Sequence, residues 1–411
     1  MASLRRRLLF VVENLTLTQV VRLVALAAQL DPERYEVHFA ASEFDPLVFG
    51  GKHFHTWPIQ SIDKEGSLRK LERGERLYDS QVLNAYVDEE LALFARVRPD
   101  LVIGDFRMSL ATSAELAGLP VAVLINAYWS PYAIRDVFPV PDHPIVSLVG
   151  VERAQRYLPQ ALPKAFAYFV APLNKVRAAR GLTPVAGLLE ALTQGDFTLY
   201  PDVPELCPTA RLPASHRYLG PVLWSPELEL PGFAAELPGD MPLVYITLGS
   251  SGLVSALDKV LAAVAELPVL ALLATADRAV IRKAPKNVRV ASYLPGTLAS
   301  RAAAFVVTNG GASTSYQALA EGKPVLGIPS NMDQYLAMTG VERARAGVLV
   351  RGGNATKASI LTAMRELLEK NQLRAGAAAL GRAFASHDCH ARFGSFLEDA
   401  LETGRSRATS S

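Results

Sequence analysis

Short runs of apolar residues alternate with helical patterns through most of the 411-residue chain. The first half contains LLFVV (8–12), EVHFAA (36–41), LVIGDF (101–106), VAVLINA (121–127) and FTLY (197–200). These runs have the length of buried strands, and the segments between several of them have the apolar spacing of amphipathic helices. The alternation predicts parallel α/β sheets.

A stretch rich in proline and glycine, with little periodicity, separates two series of this alternation, and we interpret it as a linker over residues 223–242. The linker divides the chain into a domain over 1–222 and a domain over 243–385. We expect a helix over 386–403 that packs back toward the first domain, and a disordered tail over 404–411. A chain of this length also exceeds the usual size of a single core. Two Rossmann-like domains are predicted, with the ligand in the cleft between them, at the carboxyl ends of the strands.

Composition narrows the class of partner. The 42 basic and 40 acidic residues leave a net charge of +2, which gives no electrostatic case for a nucleic-acid partner. The two cysteines, Cys207 and Cys389, have no CxxC spacing, which favours a reducing compartment. The apolar run at 8–12 is too short for a signal peptide, and no run has the length of a transmembrane helix. We therefore predict a cytoplasmic protein with small-molecule partners and no transmembrane segment; the sequence does not indicate an oligomeric state.

One stretch, TNGGASTSYQALAEGKPVLGIPSNMDQ (308–334), combines features of an anion site. It begins at the end of the apolar run AFVVT and continues with Gly310 and Gly311, which permit close approach of a ligand to the backbone. Ser313 is predicted to cap the helix that follows, and its hydroxyl and that of Thr314 are donors. The first turn of a helix offers unpaired N–H groups and a partial positive charge. A phosphate site is predicted there.

Asp333 and Gln334 follow the next apolar run, VLGIP (325–329), on the same edge of the predicted sheet. A carboxylate beside an amide suits the hydroxyl groups of a sugar. Taken singly, a Gly-Gly pair at a strand exit is common and a serine before a helix is ordinary capping. The order strand, xGG, hydroxyls, helix, strand and Asp-Gln is more specific than any of its parts.

Residues 288–336 resemble the donor-binding segment of the family-1 glycosyltransferases, which have the GT-B fold. The resemblance extends through LYPDVPEL (199–206), RYLGPV (217–222) and YITLGSS (245–251), in the family's order. It implies two Rossmann-like domains that face each other across a cleft, and a nucleotide sugar as donor. The positions that match the family's donor site are Gly249, Ser250, Ser251, Tyr293, Leu294, Asn309, Gly310, Gly311, Ser313, Thr314, Gln317, Asp333 and Gln334.

The resemblance also assigns roles to these positions. Tyr293 falls where an aromatic ring stacks on the base, with the Leu294 backbone beside it. The glycine, serine and threonine positions fall around the pyrophosphate, and Asp333 and Gln334 fall on the sugar. Three positions depart from the family pattern: Asn309 replaces the usual histidine, Gln317 replaces a ribose-binding glutamate, and Gly296 replaces a glutamine.

The general base is the largest departure from the family. A histidine, or in some antibiotic glycosyltransferases an aspartate, is usual in the loop after the first strand. Here Gln19 falls at that position, and glutamine cannot accept a proton near neutral pH. Glu13 ends the first predicted strand, and Asp105 ends LVIGD and matches the aspartate that orients the family's histidine. Either carboxylate is a candidate base, with Glu13 nearer the usual position; helix capping for Asp105 and a solvated loop charge for Glu13 are the alternatives.

An aromatic cluster over 128–170 is the candidate acceptor wall, represented by Tyr128, Trp129, Tyr132 and Phe138. Ordinary packing explains each of them equally well. The function predicted is inverting glycosyl transfer from a UDP- or TDP-linked sugar to a small, largely apolar acceptor such as a natural product. No D-x-D motif occurs, so no metal site and no cofactor are predicted. The alternatives are a noncatalytic protein of the same fold and, with less support because Asp333 has no second carboxylate near it in sequence, a sugar-nucleotide epimerase.

Overall fold

The structure, a computed structural model, describes residues 5–226, 241–247, 254–276, 279, 281 and 283–408. These residues form two compact units. The first contains the chain up to Asp136, Tyr157–Trp224 and the residues from His387 onward. The second contains Val137–Arg156 and the chain from the linker to Ser386. The predicted linker falls largely outside the described residues.

The first unit is built on a seven-stranded parallel sheet with the order β3-β2-β1-β4-β5-β6-β7. Its strands are β1 (Arg6–Val12), β2 (Tyr35–Ala41), β3 (His55–Pro58), β4 (Leu101–Asp105), β5 (Val121–Leu124), β6 (Phe197–Tyr200) and β7 (His216–Tyr218). Beside them lie the helices α1 (Leu17–Ala27), α2 (Pro46–Phe49), α3 (Lys64–Glu72), α4 (Ser80–Val97), α5 (Leu110–Ala117), α6 (Pro144–Val149), α7 (Val151–Ala179) and α8 (Leu188–Leu192), although the segment that carries α6 packs with the second unit.

Strand alternation places a hydrophobic core on each face of this sheet. Leu8, Phe10 and Val12 point to one face and Leu9 and Val11 to the other. The last helix of the chain, α15 (Cys389–Ala408), contributes Phe393, Phe396 and Leu397 to the first of these cores. A fully buried aromatic side chain contributes about 1.5 to 3 kcal/mol, so this helix is an integral part of the first unit.

The second unit has a six-stranded parallel sheet with the order β10-β9-β8-β11-β12-β13. Its strands are β8 (Leu243–Thr247), β9 (Leu270–Ala274), β10 (Val288–Ala291), β11 (Phe305–Thr308), β12 (Val325–Gly327) and β13 (Gly347–Leu349). Its helices are α9 (Val254–Val264), α10 (Gly296–Ala302), α11 (Ala312–Ala320), α12 (Met332–Arg343), α13 (Lys357–Glu369) and α14 (Asn371–Ala385).

One long helix was not predicted from the sequence: α7 runs for 29 residues with three prolines inside it. The tail predicted to be disordered from residue 404 is helical to Ala408, where the described chain ends. Among the described helices, none has both the length and the apolar character needed to cross a bilayer.

Candidate functional site

The second sheet has its topological switch point between β8 and β11. These strands are neighbours, with Ile246 opposite Val307, although more than fifty residues separate them in the chain. Parallel α/β sheets bind ligands outside the carboxyl ends of the strands at such a point. Gly249, Ser250 and Ser251, predicted to bind the donor, follow β8 and lie outside the described residues.

The segment that leaves β11 makes a tight turn into α11. Gly310 has φ +81°, and a Cβ atom there would lie 2.8 Å from Cγ of Met338, so the turn requires glycine. The Thr308 hydroxyl accepts a hydrogen bond from the Gly310 N–H at 2.9 Å. The Asn309 side-chain oxygen accepts one from the Gly311 N–H at 3.0 Å, so this buried asparagine shapes the turn.

The cap of α11 differs from the prediction. Gly311 is the N-cap residue and the helix begins at Ala312, so Ser313, which we predicted as the cap, is the second helical residue. Gly311 has no side chain with which to cap the N–H groups of the first turn. The half-exposed Ser313 and Thr314 lie in that turn. The helix therefore begins with a different cap from the one predicted, and anion binding at its first turn stays a prediction.

Tyr293, which follows β10, and Gln317, on α11, differ in exposure. The Tyr293 side chain is 49% exposed, as a stacking surface must be, whereas the neighbouring Leu294 is buried. Gln317, on α11, is buried, and a Cβ atom at Gly296 would lie 2.4 Å from its side-chain oxygen. The two departures at 296 and 317 are thus coupled, because the glycine makes room for the glutamine.

Asp333 and Gln334 lie in the first turn of α12, whose N-cap is Asn331. The Asp333 side chain is exposed. Gln334 is only 2% exposed, and its side-chain oxygen accepts a hydrogen bond from the Ser330 N–H at 2.9 Å. The pair predicted to hold the sugar together is therefore divided, with Asp333 accessible to a ligand and Gln334 fixing the preceding loop.

The switch point of the first sheet lies between β1 and β4, and it brings Glu13 and Asp105 together. The Glu13 N–H donates to the Asp105 carbonyl at 3.3 Å, and both side chains are 0% exposed. The sequence predicted that both residues lie at this edge. Neither the solvated loop charge nor the cap weighed as alternatives describes these buried carboxylates.

The Glu13 carboxylate has four partners. It accepts hydrogen bonds from the Ser61 hydroxyl, the Ile62 N–H at 3.2 Å and the Tyr78 hydroxyl at 2.9 Å. The Arg107 guanidinium lies 3.7 Å away. Burial raises the pKa of Glu13, and Arg107 and the hydrogen bonds offset part of that rise.

Arg107 has a second carboxylate partner that the sequence did not single out. Its Nε donates to Glu90 on α4 at 2.7 Å, and its guanidinium lies over the Tyr86 ring, 3.6 Å from the centroid. Glu90 is buried and also accepts from the Ser109 hydroxyl at 2.6 Å. Two buried carboxylates therefore share one guanidinium.

Asp105 is bound more tightly. Arg22, on α1, donates to its two oxygens from Nε and Nη2, each at 3.0 Å. Nη1 of Arg22 donates to Asn126 at 2.7 Å, and Asn126 donates to the buried Asp202 at 3.0 Å. Such a forked arginine–carboxylate pair holds the Asp105 side chain in one orientation.

Gln19, at the position of the family's base, is a capping residue. Its side-chain oxygen accepts from the N–H and the hydroxyl of Thr16, at 2.7 and 2.8 Å, at the start of α1. The side chain is half-buried and engaged in the cap. Its predicted place in the catalytic site stays a prediction, and its chemistry excludes the role of base.

The four aromatic residues predicted to bind the acceptor belong to different units. Tyr128, Trp129 and Tyr132 follow β5 in the first unit, with Tyr128 buried and the others half-buried. Phe138 belongs to the second unit. Their part in acceptor binding stays a prediction.

Glu36, His38 and His55 bring ligand atoms within 4.8 Å of one another. Trp57 donates its indole N–H to Nδ1 of His38 at 3.0 Å, so that nitrogen is unprotonated. The proton of a neutral His38 then lies on Nε2, 3.1 Å from a Glu36 oxygen. Because both ring nitrogens are already engaged, hydrogen bonding explains this group better than a metal ion does.

Comparison with known proteins identifies a matching family model and similar proteins. Residues 255–398 match the family model of the erythromycin biosynthesis protein CIII-like C-terminal domain. The chain is 44% identical to a PGL/p-HBAD biosynthesis glycosyltransferase of Mycobacterium tuberculosis (strain ATCC 25177 / H37Ra), over 97% of this chain and 92% of that protein. It is 46% identical to a PGL/p-HBAD biosynthesis rhamnosyltransferase of Mycobacterium bovis (strain BCG / Pasteur 1173P2), over 93% of this chain and 85% of that protein.

A third relative from the same M. bovis strain is described as an inactive PGL/p-HBAD biosynthesis glycosyltransferase, 45% identical over 60% of this chain and 68% of that protein. Among solved structures, the spinosyn forosaminyltransferase SpnP is similar with a TM-score of 0.70, at 19% identity, over 97% of this chain and all of that one. The spinosyn rhamnosyltransferase SpnG complexed with thymidine diphosphate has a TM-score of 0.66 at 21% identity, over 95% of this chain and all of that one.

The two parallel-sheet domains are thus those of the GT-B fold, and the sequence-based assignment of fold and family is confirmed. Glycosyltransferases match nearly the whole chain at more than 40% identity. This chain belongs to the family-1 GT-B glycosyltransferases.

Proposed function

We propose that the protein transfers a sugar, with inversion and without a metal ion, from a thymidine diphosphate sugar to a hydroxyl of a small, largely apolar acceptor. The observation that carries the proposal is the start of α11, where a turn that requires Gly310 presents an uncapped helix terminus at a topological switch point. That terminus is a site for the departing diphosphate.

The reaction is a single displacement. The acceptor oxygen forms a bond to the anomeric carbon as the bond from that carbon to the phosphate oxygen breaks, and the configuration inverts. The negative charge that develops on the diphosphate is stabilised by the N–H groups of the first turn of α11 and by the hydroxyls of Ser313 and Thr314. The sequence has no D-x-D motif to hold a metal ion. This helix terminus is therefore proposed to stabilise the charge of the departing diphosphate in place of a bound cation.

Thymidine diphosphate is favoured as the nucleotide over uridine diphosphate. SpnG was solved with thymidine diphosphate, and a relative at 46% identity is named a rhamnosyltransferase. A deoxyhexose such as rhamnose is therefore the donor sugar to test first. Tyr293 offers its exposed ring to the base, and Asp333 its exposed carboxylate to the sugar hydroxyls.

Glu13 is the proposed destination of the acceptor proton, through Ser61. The half-buried Ser61 hydroxyl donates to Glu13 and accepts from the Asn14 N–H at 3.2 Å. In the transfer, Ser61 takes the acceptor proton as it passes its own to Glu13. The raised pKa of Glu13 suits a base better than the fixed charge of Asp105 does.

The test is to incubate the full chain with thymidine diphosphate-rhamnose or UDP-glucose, and with phenols and aliphatic alcohols as acceptors. We expect transfer or slow donor hydrolysis with the thymidine donor, the opposite anomeric configuration in the product by NMR, and no loss of rate with EDTA. Retention of configuration, or a rate restored only by added divalent cation, would contradict the corresponding part of the proposal.

A noncatalytic role is the second candidate, and one observation favours it. A relative 45% identical is described as inactive, and the chain has Asn309 in place of the family's histidine. Under this alternative the protein would bind thymidine diphosphate and yet neither transfer nor hydrolyse the donor with any acceptor. The incubation above therefore decides between the two.

A further inference from the structure

A segment that precedes the linker by more than sixty residues packs with the second unit. It covers Val137–Arg156 and contains α6. The Asp142 N–H in this segment donates to the Ser330 carbonyl at 2.8 Å, in the loop between β12 and α12. This contact places Asp142 beside the loop that leads to Asp333.

The Asp142 carboxylate joins three groups, one from helix α12 and two from the segment that follows β13. One oxygen accepts from the Tyr335 hydroxyl at 2.9 Å and from Nη2 of Arg351 at 2.8 Å. The other accepts from the Gly353 N–H at 2.6 Å. Tyr335 belongs to the first turn of α12, whereas Arg351 and Gly353 follow β13. One side chain thus ties together the carboxyl ends of two neighbouring strands.

The surroundings show that this contact is built closely. A Cβ atom at Gly353 would lie 3.0 Å from Cγ of Asp142, so the glycine permits the approach. The Arg351 guanidinium lies over the Tyr335 ring, 4.6 Å from the centroid. Burial, and then the Asp142 charge, raise the pKa of Tyr335, so its hydroxyl remains a hydrogen-bond donor at all ordinary pH values.

The same short stretch carries the accessible member of the proposed sugar site. Asp333 stands two residues before Tyr335, and Gln334 between them holds Ser330 through its side-chain oxygen. The Ser330 carbonyl in turn accepts a hydrogen bond from the backbone N–H of Asp142. The direction in which the Asp333 carboxylate points therefore depends on a hydrogen-bonded frame that Asp142 completes.

We propose that Asp142 is a positioning residue for the donor sugar, fixing the first turn of α12 so that Asp333 meets the sugar hydroxyls in the reactive geometry. This rests on the proposed function. Among the described residues, the hydrogen bonds of Asp142 reach α12, the loop before it and the loop after β13, so its removal is expected to disturb the sugar and spare the diphosphate at α11. Misplacement by about 1 Å lowers turnover by roughly 100-fold at many active sites.

The experiment compares Asp142→Ala and Asp142→Asn with wild type, in the full chain. Thymidine diphosphate affinity is measured by calorimetry, and kcat and KM with thymidine diphosphate-rhamnose. We expect kcat to fall by about 10- to 100-fold in Asp142→Ala. Diphosphate affinity should change by less than about threefold. The kcat of Asp142→Asn should lie between those of wild type and Asp142→Ala, because its single amide oxygen can still accept from Tyr335 or from Gly353, although not from both, and it lacks the charge that pairs with Arg351.

The control is Glu366→Gln, which removes the carboxylate of an exposed 2.8 Å ion pair with Lys370 in the same unit. It should leave both quantities unchanged. Wild-type kcat in Asp142→Ala would overturn the inference. So would an equal loss of turnover and diphosphate affinity in both Asp142 variants, since that result indicates a general folding role. A wild-type protein that binds diphosphate without any transfer or donor hydrolysis would instead overturn the proposed function, and this inference with it.

Discussion

The two sheets have their switch points at equivalent places, yet the charges there are held in opposite ways. At the carboxyl edge of the second sheet, the Tyr293 and Asp333 side chains are exposed. At the edge of the first sheet, Glu13 and Asp105 are buried beside arginines. A site for a negatively charged ligand can bind it through backbone N–H groups and needs no charged side chain of its own. Charged side chains that are buried, such as Glu13 and Asp105, need partners of opposite charge.

The largest effect on turnover is expected from substitution of the buried Glu13. Glu13→Gln removes the proposed proton acceptor and should lower kcat by about 100-fold or more. Glu90→Gln is the matched control, since Glu90 is equally buried and binds the same Arg107. Turnover per folded molecule should fall far less in the control. Similar losses in both variants would show that the Arg107 cluster is structural and that the base lies elsewhere.

Asp105→Asn tests whether the other buried carboxylate is a structural one. It leaves Arg22 buried without its ionic partner, which should lower the free energy of unfolding by about 3 to 5 kcal/mol, measured by urea denaturation. Turnover per folded molecule should fall less than in Glu13→Gln. The reverse order, with a stable but inactive Asp105→Asn, would make Asp105 the catalytic carboxylate.

Asp333→Ala examines the exposed side of the comparison. The variant should lower kcat/KM for the donor by about 10- to 100-fold, because a charge-assisted hydrogen bond to the sugar is lost. Thymidine diphosphate affinity, measured by calorimetry, should stay near that of wild type. An equal loss of turnover and diphosphate affinity would assign Asp333 to the nucleotide instead.

The smallest effect concerns stability and pH. The pKa of Glu13 is raised in the folded state, so its protonated form favours folding. That stabilisation is complete below the unfolded-state pKa, near 4.5, and is lost as pH rises through the folded-state pKa. Relative to Glu13→Gln, the wild type should therefore lose on the order of 1 kcal/mol as pH rises from about 4.5 toward neutrality. Urea unfolding of both proteins across this range measures it, and a difference that does not vary with pH would contradict it.

Much of the fold could be predicted because its strands are local patterns. The run predicted at 197–200 coincides with β6, and that at 36–41 differs from β2 by one residue. Helix α7 was missed because proline lacks an N–H group and usually interrupts a helix, and this helix contains Pro159, Pro163 and Pro172. Of these prolines, Pro172 lies on the buried face of the helix, whereas Pro159 and Pro163 are exposed.

The candidate site also has features that the local sequence predicts and contacts that it does not. The turn at Gly310 and the helix after it were predicted because glycine, hydroxyls and apolar spacing are neighbours in sequence. The partners of the buried charges were not, because Arg22 and Asp105 are 83 residues apart and Asp142 and Arg351 are 209 apart. Only the folded sheet brings such residues together. The predicted N-cap of α11, Ser313, was wrong because the helix begins two residues earlier. The Asn309 side chain stabilises the turn at Gly311, and Gly311 is the N-cap residue.

The central claim, that the donor diphosphate binds at the start of α11, is tested most directly at Gly311. Gly310 is unsuitable, since its positive φ and the nearby Met338 would make a larger side chain disturb folding. A Cβ atom at Gly311 meets only the Asn309 side chain, 3.2 Å away. Gly394→Val is the matched control, because that helical glycine in the first unit has open space around it.

The measurement is the affinity for thymidine diphosphate of wild type, Gly311→Val and Gly394→Val by calorimetry, with thermal unfolding recorded for each. The account predicts that Gly311→Val binds at least about tenfold more weakly, because two methyl groups obstruct the approach of the phosphates to the first turn. Its unfolding midpoint should remain close to that of Gly394→Val. Wild-type affinity in Gly311→Val would contradict the claim and move the diphosphate away from α11.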